Sequence, residues 1–183
     1  MFEKTRTYFR PVILALMVVA LGYACNDTTD DPEVSGNLVS VAGFSPSSAC
    51  VDFDGEPVDE DGDGTADFTA FTSVVQDVLL DSRIRGDNPN SEFLDVIFSS
   101  VEIEYSISGG TAPPDRVDLI TATVPAGGTA TVGVTTVLAG DISGNFMGGT
   151  SGNATMTFKG EDASGEPVSA VGQTPIESAN VCL

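Results

Sequence analysis

The densest group of side chains able to do chemistry is Asp59-Glu60-Asp61-Gly62-Asp63-Gly64-Thr65-Ala66-Asp67. Carboxylates at three alternate positions, a glycine that permits a sharp turn and a further carboxylate three residues later spell DxDxDGxxD. Hard oxygen donors spaced this way wrap a Ca2+ ion. On that reading Asp59, Asp61 and Asp63 supply side-chain oxygens, Thr65 its backbone carbonyl, and Asp67 a carboxylate that binds directly or through water. Asp52, Asp54 or Glu56 could complete the shell. Packing these carboxylates into one loop costs mutual repulsion, which a divalent cation relieves. The expected role of the ion is structural. The alternative is a solvated acidic turn in which Gly62 and Gly64 serve backbone geometry only.

The loop departs from an EF-hand, which continues into a helix and places a bidentate Glu at its twelfth position. Here that position is Ala70, and Phe68-Thr69-Ala70-Phe71 reads as a strand. The loop instead resembles the calcium loops of thrombospondin type 3 repeats and integrin-like FG-GAP repeats, without their repetition.

Other chemistries are ruled out by what the chain lacks. With no histidine among 183 residues, a Ser-His-Asp triad, a His-ligated zinc or copper site and a His-held haem are excluded. Glu102 and Glu104 could in principle act as acid and base on a glycoside. Two residues apart on one strand, however, they read better as a solvated ladder. Arg85-Gly86-Asp87 spells an integrin-recognised tripeptide, but the run continues Asn88-Pro89-Asn90, as an ordinary loop does. Asn153-Ala154-Thr155 fits a glycosylation sequon, which a bacterial setting would make irrelevant.

The N-terminus points to export. Lys4, Arg6 and Arg10 precede an apolar stretch from Pro11 to Ala24, which ends at Cys25. As a helix that stretch would span about 21 Å, short of the roughly 30 Å hydrocarbon core, so it reads as a signal peptide over residues 1–24. Leu21-Gly22-Tyr23-Ala24-Cys25 resembles a bacterial lipobox, with Ala24 and Cys25 matching and Gly22 and Tyr23 departing. The resemblance implies lipid attachment at Cys25. Ordinary signal peptidase, which wants small residues at Gly22 and Ala24, would cut the same bond.

Cys25, Cys50 and Cys182 are the only cysteines. A thioether lipid consumes the odd one and leaves Cys50 and Cys182 to pair in an oxidising compartment, with two buried free thiols as the alternative. Cleavage leaves four basic residues (Arg83, Arg85, Arg116 and Lys159) against 26 of the 27 carboxylates, a net charge of −22. Such a body is repelled by nucleic acid and by anionic headgroups, so membrane contact must come from the lipid. Residues 25–37, with the polar run Asn26–Glu33, read as a tether.

Residues 38–183 are expected to form one all-β domain. Val101, Ile103, Tyr105 and Ile107 alternate with Glu102, Glu104 and Ser106. Ala130, Val132, Val134, Thr136 and Leu138 alternate with Thr129, Thr131, Gly133 and Thr135, and Ala154, Met156 and Phe158 with Thr155, Thr157 and Lys159. Further strands are expected at 49–54, 67–82 with an interruption, 117–124, 167–171 and 176–182. No stretch after the signal carries a long helical period. Seven or eight short strands fit an antiparallel immunoglobulin-like sandwich. VPAGGTATVGV (124–134) and ATMTFKGEDASGEPVSA (154–170) resemble Ig-like domains of bacterial exported proteins. The resemblance covers about residues 75–182 and implies no catalytic residues.

The function expected from these features is a non-enzymatic lipoprotein of the bacterial cell envelope, structural or protein-binding, with an envelope protein as possible partner. A carbohydrate- or protein-binding accessory module is the alternative, and a carboxylate glycosidase ranks below it. Sugar binding is disfavoured because the body holds one tyrosine, Tyr105, and no tryptophan. A secreted or periplasmic soluble protein is the alternative location.

Overall fold

The computed structural model describes residues 37–84, 94–180 and 182. The signal segment, Cys25, the expected tether up to residue 36 and the Arg85-Gly86-Asp87 tripeptide lie outside them; Asn37, expected as the last tether residue, instead begins the first strand.

Among the described residues the chain forms ten strands and one short helix. Three strands, β1 (Asn37–Ser45), β5 (Val74–Ile84) and β8 (Thr129–Val137), make one sheet in the order β1-β5-β8. Five make the second, in the order β2-β10-β9-β6-β7, from β2 (Ala49–Asp52), β10 (Pro167–Ala179), β9 (Ser151–Asp162), β6 (Val96–Ser108) and β7 (Arg116–Val124). The remaining pair, β3 (Glu56–Val58) and β4 (Phe68–Ala70), is a separate hairpin. The eight sandwich strands match the expected number. They divide three to five between the two sheets of an all-β sandwich. The chain enters by switching sheets at Ser45–Pro46, so that β1 runs antiparallel to β5 and β2 parallel to β10.

Period-two patterning places the core. Val101 and Ile103 of β6, Ala154, Met156 and Phe158 of β9, and Val78 and Leu80 of β5 are fully buried between the sheets. Phe98 and Phe158 meet edge to face with ring centroids 6.0 Å apart. Each buried aliphatic or aromatic side chain of this size contributes about 1.5–3 kcal/mol over its exposed state.

Two further expectations need correction, and two elements were not expected. Leu138 does not share the inward face of β8: the ladder to β5 shifts register between Val74 and Val75, Thr136 and Val137 are both buried, and Leu138 leaves the strand 42% exposed. The expected strand 167–171 and the start of 176–182 belong to one strand, β10, which is continuous through Pro175 and ends at Ala179; β9 pairs with it from Pro167 to Glu177 and β2 joins only from Ile176. β1 was not anticipated, because Ser40, Gly43 and a register shift between Val41 and Gly43 blur its alternation. A single helical segment, α1 (Ala139–Asn145), links β8 to β9 and buries Ile142; at two turns it is too short to show a helical period.

Candidate functional site

The acidic run is the connection of the β3–β4 hairpin. Val58 pairs with Phe68, Glu56 with Ala70, and the Asp67 amide donates to the Val58 carbonyl at 2.8 Å, which pins both ends of the loop. Gly62 and Gly64 take φ of 76° and 88°, a region closed to most side chains, so the turn needs both glycines.

Within the loop the carboxylates first satisfy backbone donors. Asp59 accepts from the Gly62 amide through Oδ1 at 2.7 Å and from the Gly64 amide through Oδ2 at 2.8 Å. Asp61 accepts from the Asp63 amide, Asp63 from the Thr65 amide and Asp67 from the Glu60 amide. The Gly64 amide, aided by those of Gly62 and Asp63 and by Asp61, holds the Asp59 carboxyl below its ordinary range.

Of the five expected ligands, Asp59, Asp61 and Asp67 bring one oxygen each within 4.8 Å of one another, all on exposed side chains. Asp63 turns an oxygen to the Thr65 amide and stands outside this trio. Thr65, expected to offer its backbone carbonyl, is exposed in the same turn. Asp52, considered for the shell, instead caps the preceding turn by accepting from the Asp54 and Gly55 amides. Three converging carboxylates on a braced turn are able to hold a cation, with the remaining coordination open to water.

Cys50 on β2 and Cys182 beyond β10 form a disulfide with Cα atoms 5.7 Å apart. It ties the short edge strand to the end of the chain, across 132 residues of sequence.

Sequence reasoning missed two polar assemblies. Gln76 of β5, fully buried, donates to the Pro46 carbonyl at 2.7 Å and to Thr174 Oγ1 at 3.0 Å, and accepts from Thr136 Oγ1 at 2.8 Å. At the open seam between β7 and β8, Arg116 donates through Nε to Asp118, through Nη1 to the Tyr105 hydroxyl at 2.7 Å and through Nη2 to the Thr135 carbonyl. Tyr105 in turn donates to the Thr136 carbonyl at 2.6 Å. Burial pushes its hydroxyl up to about 12, against the opposing charge of Arg116. A polar residue at an inward position of an alternating strand, as at Gln76 and Arg116, is the signal that marks such groups. Glu102 pairs with Lys159 at 2.5 Å across β6 and β9, and Glu104 is exposed on the same strand.

No protein-family model matches the chain. No curated protein matches it either. Among solved structures, it is similar to an X-ray structure of the Northeast Structural Genomics Consortium target SoR45, at 11% identity, 82% of this chain, 93% of that chain and a TM-score of 0.42. A second similarity is to a solution structure of a protein described as late embryogenesis abundant, at 14% identity, 93% of this chain, 87% of that chain and a TM-score of 0.39.

Proposed function

We propose that the chain is a non-catalytic lipoprotein of the bacterial cell envelope. A lipid on Cys25 anchors it, and its sandwich serves a structural or protein-binding role, stabilised by Ca2+ in the 59–67 loop. The observation that carries this reading is the Cys50–Cys182 bond. A bridge of this kind suits an oxidising compartment, and it leaves Cys25, at the end of the apolar run, as the odd cysteine that a thioether lipid consumes. The net charge of −22 on the body supports lipid, rather than surface charge, as the means of membrane contact.

The test is the intact mass of the protein after expression in a host that processes lipoproteins. The expected product begins at Cys25 and carries the mass of a diacylglyceryl group and its N-acylation, and Cys25→Ala yields none of it. An unmodified Cys25 in the mature product would overturn the anchor.

A binding module within a larger envelope assembly is the second reading. It is favoured for proteins over sugars by the neighbouring exposed Val117 and Leu119 on β7, 62% and 90% exposed, and by the scarcity of aromatic rings.

A further inference from the structure

The sandwich has four edge strands among the described residues, β1, β8, β2 and β7. Free strand edges template pairing with other chains, and proteins blunt them with bulges, prolines, short length or charges turned inward. β1 carries a register shift and runs into Pro46. β2 is four residues long and stapled by the disulfide. β7 turns Arg116 and Asp118 toward the seam. β8, with nine residues TATVGVTTV, has no charge and no proline.

The direction of its main chain follows from two hydrogen bonds. The Ser82 amide of β5 donates to the Gly128 carbonyl, so Gly128 faces β5. With period two, Ala130, Val132 and Val134 direct their backbone groups to β5 as well, and Thr129, Thr131 and Gly133 direct theirs to the open edge. The Thr135 carbonyl points the same way, and there it accepts from the Arg116 guanidinium. The edge therefore already receives a cationic donor at one end. Beside it lies a groove of about 530 Å3 whose lining includes Val117, Leu119, Ile120, Leu138 and Asp118. Gly133 sits mid-edge, where a Cβ would meet only Asp77 Oδ1 at 3.8 Å. Internal packing thus does not require glycine there, whereas close approach of another backbone favours it.

We infer that the β8 edge is a docking site for an extended, cationic segment of a partner protein. The segment adds as a strand to Thr129–Thr135 and lays alternate apolar side chains into the groove against Leu119. Charge selects the occupant: two bodies of −22 repel edge to edge, so a second copy is disfavoured, while basic residues complement the acidic surface, including the exposed Asp77 of β5 that lies opposite Gly133. This deepens the protein-binding role proposed above and is independent of the lipid, so an unmodified Cys25 leaves it intact.

The probe is a blocked peptide of alternating lysine and valine, about as long as β8, with a control of the same charge that carries prolines at alternate positions. It is titrated into the full processed chain while amide hydrogen exchange is followed. Binding is expected to protect the Thr131 and Gly133 amides, and the control to bind about tenfold or more weakly. Thr131→Pro, which removes an edge donor without touching the β5 ladder, and Thr131→Lys, which places a like charge on the edge, should each weaken binding by a similar factor. The lysine variant decides the matter if the proline variant does not fold. Equal binding of the control, unchanged binding by a folded Thr131 variant, absence of protection at Thr131 and Gly133, or a dimer paired through β8 would each overturn the proposal.

Discussion

Gln76 and Thr174 join the two sheets of the sandwich through one buried hydrogen bond, Nε2 to Oγ1 at 3.0 Å. The same amide group reaches Pro46 and Thr136, so one side chain ties β5, β8, β10 and the sheet-switching segment together. Gln76→Leu should cost about 2–4 kcal/mol, because it leaves the buried Thr136 and Thr174 hydroxyls and the Pro46 carbonyl without their partner. Thr174→Val should cost about 1 kcal/mol. Urea unfolding of both variants and of the double variant checks this, and the cycle should show strong coupling.

Tyr105 offers a spectroscopic reading of the seam. Its hydroxyl is raised to about 12 by burial, against an ordinary value of 10.0. A phenol whose folded value is raised stabilises the fold below its unfolded value. That contribution is lost as pH rises from about 10 to about 12, because there the unfolded chain holds fewer protons than the folded one. In the processed protein Tyr105 is the sole tyrosine, so tyrosinate absorbance should rise near pH 12 when folded and near pH 10 in denaturant. A folded midpoint near 10 would contradict the buried pairing with Arg116 and Thr136.

Reducing the disulfide, or replacing Cys182 by Ser, frees a loop of 132 residues of sequence separation. The chain-entropy relation gives a loss of about 5 kcal/mol for a loop of that size. Denaturant midpoints with and without reductant measure it, and an unchanged midpoint would show that the bond contributes nothing to stability.

Calcium should raise the melting temperature relative to chelator, by an amount equivalent to about 2.7 kcal/mol at a hundredfold excess over the dissociation constant. Asp59→Asn and Asp61→Asn should abolish the increase, while Asp52→Asn, outside the trio, should leave it. The depressed Asp59 carboxyl stabilises the loop above its ordinary value of 3.8, and that contribution disappears as pH falls through the lowered folded value. Calorimetry without a binding signal would remove the ion from the proposal.

The strands that were legible in sequence are those with one face wholly apolar, such as Ala154-Met156-Phe158, where two-residue alternation meets full burial. Alternation fails where the ladder shifts register, which hid β1 and misplaced Leu138. In the acidic loop, spacing singled out Asp59, Asp61, Asp63, Thr65 and Asp67, and the carboxylates of Asp59, Asp61 and Asp67 converge. It could not reveal that all four aspartates also accept from backbone amides, because those bonds depend on the φ of the turn glycines and on local chain reversal. Gln76 is illegible in sequence because its partners lie far along the chain: Thr174 is 98 residues away, and only the folded sandwich brings them together.

The Cys50–Cys182 bond also makes a closed ring of most of the body. Any single cut within that ring, including one in the exposed Asp59–Asp67 turn, opens the ring without dividing the molecule. A protease that nicks the protein at that exposed loop leaves both pieces in one covalent unit, still joined to whatever holds the N-terminal side. Detaching the whole ring requires a cut before Cys50; a cut within it frees a piece covalently only when a second cut or reduction of the bond accompanies it.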